Sequence, residues 1–161
     1  MSSAERVLSL EDAAAWREKQ RTAGRIVAFT NGVFDLVHSG HVAYLEWARE
    51  QADALIVGIN SDDSVRRLKG ESRPFVPFED RARVIAALRC VDAVVGFSEL
   101  TPETVLDRLH PDIHVKSAQY RLEDLPERTV IESYGGRIML APHQDGKSST
   151  DLAARIAARY R

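Results

Sequence analysis

Apolar positions in this chain fall in short runs separated by segments of helical period. Residues 25–30, 54–59, 93–97, 112–116 and 137–140 are rich in Ile, Val, Leu, Phe and Ala. Runs of this length predict strands buried on both faces. Between them the pattern turns helical. A helix is predicted over about residues 9–22, where Ser9 caps and Asp12 stands three residues on, close to a capping box. Residues 41–51 follow, with Val42, Leu45 and Ala48 on one face; then a short helix over 61–67, capped by Ser61. Residues 69–77 hold one Gly and two Pro and read as a loop. Residues 78–89 are helical, with Val84, Ile85 and Leu88 on the apolar side. Thr101-Pro102-Glu103 combines a capping hydroxyl, Pro at the first helical position and an acid near the positive dipole end. That helix runs to about Leu109. Another near 127–134 stops at Gly135-Gly136, and Ser148-Ser149-Thr150 opens a last one reaching about Tyr160.

Strands therefore alternate with helices and no hairpin turn joins them. The pattern predicts an α/β fold: a parallel five-stranded sheet with helices on both faces. Ligands of such sheets sit outside the carboxyl ends of the strands, near the switch in strand order. The loops after Thr30, Ile59, Val115 and Leu140 are where chemistry is expected.

Composition narrows this further. The 161 residues suit a single domain over 1–161, with the helix at 9–22 as an addition to its core. Lys and Arg total 22 against 24 acids, a formal charge of -2, so nothing demands nucleic acid or an anionic membrane surface. The one cysteine, Cys90, excludes an intrachain disulfide and a multi-cysteine zinc site. No apolar run is long enough to span a bilayer, and residues 1–6 lack the apolar core of a signal peptide. The expectation is a cytoplasmic protein.

The loop after the first predicted strand, residues 30–41, reads Thr-Asn-Gly-Val-Phe-Asp-Leu-Val-His-Ser-Gly-His. It lacks the glycine fingerprint of dinucleotide-binding folds, which disfavours an NAD-dependent oxidoreductase. It places His38 and His41 around Gly40 where a helix begins. A helix N-terminus offers free N–H groups and a positive dipole end, both suited to phosphate, and the imidazoles add donors. Spacing alone leaves two other readings open: incidental histidines at the start of a helix, and a metal site from His38, His41 and Asp35.

Gly32-Val33-Phe34-Asp35 followed by His38-Ser39-Gly40-His41 resembles the H-x-G-H loop of the nucleotidyltransferase superfamily. The likeness continues through Leu68 to Pro74, Glu79-Asp80-Arg81, Val91-Asp92, Pro111-Asp112, Val115-Lys116, Asp145-Gly146 and Ser148-Ser149-Thr150. Over about residues 30–158 the chain is similar to the heptose 1-phosphate adenylyltransferases, both stand-alone and as a domain of bifunctional kinase–adenylyltransferases. At 161 residues the chain is expected to hold the adenylyltransferase part without the kinase. Relatives usually carry Lys-Gly-Gly-Asp-Tyr where this chain has Lys116-Ser117-Ala118-Gln119-Tyr120. Lys147 and Asp151 depart as well.

The resemblance implies a Rossmann-like, doubly wound nucleotidyltransferase fold. It also implies transfer of AMP from ATP to a heptose 1-phosphate, with pyrophosphate released, for lipopolysaccharide core synthesis. His38, His41 and Lys69 would be the catalytic donors. Asn31, Gly32, Val33, Phe34, Asp35 and Gly40 would meet the nucleotide and its phosphates, as would Ser148, Ser149 and Thr150. His143, Gln144 and Gly146 would lie at the base, ribose or phosphates. Lys116, Arg73 and Arg81 would hold the acceptor. Mg²⁺ would accompany ATP, with Asp35 a candidate contact and no protein metal site assigned. Partners would be ATP and a sugar 1-phosphate, without nucleic acid or membrane, in a homo-oligomer. The rivals are nucleotidyltransferases for glycerol 3-phosphate, ethanolamine phosphate or FMN, and a non-catalytic nucleotide sensor. Trp16, Trp47, Cys90, His110 and His114 read as packing.

Overall fold

The computed structural model describes residues 2–142 and 148–160. Its strands are β1 (Val7–Leu8), β2 (Val27–Gly32), β3 (Ala54–Asn60), β4 (Ala93–Phe97), β5 (Ile113–Ser117) and β6 (Arg137–Ala141). Its α-helices are α1 (Leu10–Thr22), α2 (Ser39–Glu50), α3 (Asp62–Lys69), α4 (Phe78–Ala86), α5 (Glu103–Leu109), α6 (Arg128–Ser133) and α7 (Ser149–Arg159). The sheet runs β1-β4-β3-β2-β5-β6, every pairing parallel. The five expected strands are all present. The sixth, β1, is a two-residue edge strand that pairs Val7 with Val94 and Leu8 with Val95. Two residues are too few to show a period, so the pattern hid it.

The alternation along the strands sorts side chains into two cores. Ala28, Leu55, Val57, Ile59, Val94, Ile113 and Val115 point to one face, against Leu45 and Ala48 of α2 and Ala82, Ile85 and Ala86 of α4. Val27, Phe29, Ala54, Ile56, Ala93 and Val95 point to the other, against Ala13 of α1, Val105 and Leu106 of α5 and Ile131 of α6. Every residue of β3 is buried, which is why that run reads as continuously apolar.

Strand order reverses between β2 and β5. β2 pairs with β3 over six residues but with β5 only at Ala28–Ile113 and Phe29–His114. Beyond those pairs the strands part. Thr30 Oγ1 and Tyr44 Oη, 2.7 Å from each other, both reach the Val115 carbonyl and fill the base of the gap. The crevice expected at a topological switch point opens above them.

Several element ends differ from expectation. α2 starts at Ser39, two residues early, with His38 as its N-cap. α3 continues to Lys69, and Gly70, at φ 95°, closes it in a conformation that favours glycine. Lys69 is thus helical rather than the start of a loop. Thr101 does not cap α5; Pro102 holds the N-cap position without a side-chain bond. Ser9 and Ser148 cap α1 and α7 as expected, accepting from Asp12 N–H and Asp151 N–H. Among the described residues no helix is long and apolar enough to cross a membrane.

Candidate active site

The crevice widens into a cleft of about 710 Å³, within the range of small-molecule sites. Its floor is the β2–α2 loop. One wall is the C-terminal end of α3 with Arg73. The other is the end of β5 with the N-terminus of α7. Asn31, Gly32, Val33, Phe34, Asp35, His38, Gly40 and His41 all line it, as do Lys69, Arg73, Lys116, Ser148, Ser149 and Thr150. His143, Gln144 and Gly146 lie outside the described residues.

The two histidines form one unit. Their rings stack with centroids 3.9 Å apart and 26° between planes. Gly40 N–H donates to His38 Nδ1 at 3.2 Å, and His38 N–H donates to His41 Nδ1 at 3.4 Å. Both imidazoles thereby cap the helix they open, and both Nδ1 atoms are acceptors. A neutral ring whose Nδ1 accepts carries its proton on Nε2, so the cap fixes the tautomer. Burial, with His38 as a second cause, lowers the His41 pKa from 6.5 to about 4. His41 is therefore neutral near pH 7 and presents an Nε2–H donor.

Phe34 sets the ring of His41. It sits at φ 50°, in the left-handed region that few non-glycine residues adopt. Its ring lies 5.3 Å from that of His41 at 60°. A Cβ on Gly32 would stand 3.0 Å from Phe34 Cε2, so glycine leaves the ring its place.

Two helix N-termini converge here. Ser149 Oγ donates to the Leu36 carbonyl at 3.0 Å and ties the start of α7 to the loop that leads into α2. Both helices exceed ten residues, so each brings a positive end to the same cleft.

Asp35 lines the cleft and is also engaged beneath it, whereas Arg81 takes a role other than the one expected. The Asp35 carboxylate is buried and accepts from Phe75 N–H at 2.8 Å, Val76 N–H at 2.9 Å and Arg73 Nε at 2.5 Å. Burial disfavours its charge, but the two backbone bonds and the Arg73 guanidinium outweigh this and hold its pKa below the ordinary value. Asp35 is a clamp on the 73–76 segment. Among the described residues, Asp35, His38 and His41 do not form a group placed to hold a metal. Arg81 does not reach the cleft at all. Its side chain is fully buried, donating to the carbonyls of Val76, Val33 and Asn60 and to Asp62. It braces the loop and the end of β3 from behind. Arg73 does line the cleft, though its Nε is engaged by Asp35 and its guanidinium lies 4.6 Å from the Phe75 ring centre.

Lys116, at the end of β5, is held by a partner that its own segment does not predict. Its Nζ lies 2.8 Å from Glu127 Oε1 and 3.4 Å from Asn31 Oδ1, with the Tyr120 ring centre at 4.9 Å. His114 Nε2 reaches the same Glu127 oxygen at 3.2 Å. Burial would raise the Glu127 pKa, but bonds from His114 and Lys116 and the Lys116 charge bring it to about 2. Burial also lowers the His114 pKa, so a neutral ring donates to a charged carboxylate. Glu127 stands eleven residues beyond Lys116, and no motif in the sequence links them.

A parallel sheet whose switch point carries stacked, helix-capping histidines under two helix N-termini has the organisation of a nucleotidyl-transferring protein. The family model described as cytidylyltransferase-like matches residues 29–155, and the chain belongs to that family. Among curated proteins it is 50% identical over 143 residues to the bifunctional protein HldE of Syntrophotalea carbinolica, covering 89% of this chain and 29% of that protein. It is 45% identical over 155 residues to HldE of Geobacter sulfurreducens, covering 96% and 32%. It is 49% identical over 153 residues to HldE of Gluconacetobacter diazotrophicus, covering 95% and 31%. The chain spans about a third of the length of these relatives. A crystal structure of a lipopolysaccharide core biosynthesis protein from Thermoplasma volcanium shares the fold, with a TM-score of 0.63 at 24% identity over 77% of this chain and all of that one.

Proposed function

We propose that this chain is an adenylyltransferase that joins AMP from ATP to D-glycero-β-D-manno-heptose 1-phosphate, giving ADP-heptose and pyrophosphate for lipopolysaccharide core synthesis. The observation that carries this reading is the pair of stacked imidazoles whose Nδ1 atoms are both used by the α2 cap. Mere helix capping needs only one short polar side chain. Two rings whose Nδ1 atoms are taken by the cap keep Nε2 as the donor, which suits a site where negative charge builds on transferred phosphates.

The acceptor phosphate is already ionised near neutral pH, since the second pKa of a phosphate monoester is about 6. One of its oxygens attacks the α-phosphorus of ATP, the bond to the β-phosphate oxygen breaks, and pyrophosphate leaves. No general base is required. The protein aligns two anions and stabilises the leaving charge. In this reading His38 and His41 donate from Nε2 to the phosphates. The N–H groups of α7, with Ser148 and Thr150, receive the β- and γ-phosphates. Lys69 approaches from the opposite wall, and Lys116 holds the acceptor phosphate.

Mg²⁺ enters as part of the ATP substrate. Among the described residues no group of three or more His, Cys, Asp or Glu is arranged to hold a metal, and Asp35 is spent on Arg73, Phe75 and Val76. The described residues do not fit a resident metal site. A homo-oligomer is the assembly proposed, which a light-scattering mass equal to one chain would refute.

The test is a matrix of initial rates of pyrophosphate release. ATP and CTP are each paired with heptose 1-phosphate, glycerol 3-phosphate and ethanolamine phosphate. The proposal expects the highest kcat/KM for ATP with heptose 1-phosphate. A higher value for another pair would move the chain to that acceptor, and Ser117 and Gln119, which line the cleft beside Lys116, would be where specificity changed.

A further inference from the structure

Lys116 has three N–H donors and no acceptor. Two of them are accounted for: one meets Glu127 Oε1 at 2.8 Å and one points to Asn31 Oδ1 at 3.4 Å. The third is left for the cleft that Lys116 lines, where the Tyr120 ring centre lies 4.9 Å from the same Nζ. A flexible lysine ordinarily loses much side-chain entropy on gripping a ligand. Here that loss is met within the fold, because Glu127 is 1% exposed and cannot follow a mobile ammonium. Glu127 is itself fixed from behind by His114 of β5, which is fully buried and stacked on Phe29 at 5.6 Å. The chain of contacts runs from the core, through a neutral imidazole and a carboxylate, to an ammonium at the switch point.

We infer that Glu127, backed by His114, is a positioning residue that aims Lys116 at the phosphate of the acceptor substrate. Glu127 borders the cleft, but its Oε1 is engaged by Lys116 and His114, and it acts through Lys116. The inference rests on the acceptor being a phosphate ester, as proposed above. The Glu127 carboxylate also offsets the lysine charge, so the pair presents one directed donor rather than a bare cation. This explains how a cleft already positive from two helix ends takes one more ammonium without holding its anionic ligands indiscriminately.

The test is a double-mutant cycle with Glu127→Gln, Lys116→Met and both together, each first checked for a wild-type circular dichroism spectrum. Glu127→Gln keeps the shape and removes the charge. It is expected to raise KM for heptose 1-phosphate by about 10- to 100-fold, the scale of a hydrogen bond to a charged group, while KM for ATP stays within about twofold. In the Lys116→Met background the same change is expected to alter KM for the sugar phosphate by less than about twofold, because the residue it acts through is gone. Additive effects in the double mutant, or equal changes in both KM values, would overturn the inference and leave Glu127 a structural residue. Glu127→Asp should recover part of the acceptor affinity, and no recovery counts against the inference. Inorganic phosphate is titrated in parallel by calorimetry against the same four proteins. If heptose 1-phosphate is not turned over by the wild type, the functional reading fails. The positioning role then stands or falls on whether Glu127→Gln weakens phosphate binding only when Lys116 is present.

Discussion

Replacing His38 by asparagine separates two jobs that one side chain performs. As N-cap of α2, His38 accepts the Gly40 N–H through Nδ1 at 3.2 Å. As a proposed catalytic donor it offers Nε2–H. Asparagine is among the best N-cap residues, and its side-chain oxygen can take the same N–H, but it has nothing in the place of Nε2. Alanine lacks both. An N-cap is worth about 1 kcal/mol, which in a domain of this size shifts Tm by about 2–4 °C. A lost transition-state donor costs about 10²- to 10³-fold in kcat. The account therefore expects His38→Asn to melt within about 1 °C of the wild type and to lose kcat by that factor. His38→Ala should lose the same kcat and melt about 2–4 °C lower. The assays are thermal unfolding by circular dichroism and steady-state pyrophosphate release at saturating ATP. Near-normal kcat in His38→Asn would refute the donor role. Equal melting of the alanine and asparagine variants would refute the capping role.

Acid should destabilise the fold in two stages. His41 binds a proton at 6.5 when unfolded but only near 4 when folded, so the unfolded state takes up protons first and stability falls as pH drops from 6.5 towards 4. His41 accounts for about 3 kcal/mol of the loss, readable as a fall in urea midpoint that His41→Asn should reduce, while His114, whose pKa burial also lowers, keeps part of it. Glu127, lowered from 4.5 to about 2, adds a further loss across that lower window. A midpoint that stays constant down to about pH 4.5 would contradict both burial and tautomer. Arg81→Met should cost about 3–5 kcal/mol, since it strands three carbonyls and the Asp62 carboxylate behind the β2–α2 loop. Stability within about 1 kcal/mol of the wild type would show that water replaces the guanidinium freely.

What could be read in the sequence was what local rules govern. Buried parallel strands carry continuous apolar runs, so β2 to β6 were visible from residues such as Leu55-Ile56-Val57. Ser9 and Ser148 cap their helices in the predicted way because a cap is a contact within four residues. The H-x-G-H loop was legible for the same reason: His38, Gly40 and His41 belong to one turn. Long-range partners were not legible. Nothing near Arg81 says that its four acceptors are Asn60 of β3, Val33, Asp62 of α3 and Val76, so a buried brace reads as a ligand for the acceptor. Asp35 looked available for a metal until the 73–76 segment folded over it. In the sequence Glu127 reads only as the start of a helix, because its meaning depends on the N-cap of α6 meeting Lys116 of β5. Thr101 met the local rules for a cap but lines the cleft instead, where Pro102 leads the backbone into α5.

The most direct test is ³¹P NMR of the purified chain with Mg²⁺, ATP and D-glycero-β-D-manno-heptose 1-phosphate. The account predicts that the sugar monoester resonance disappears in step with ATP, while pyrophosphate and one new diphosphate ester appear in equal amounts. Unchanged resonances with folded protein, or inorganic phosphate and ADP in place of pyrophosphate, would contradict nucleotidyl transfer to this acceptor.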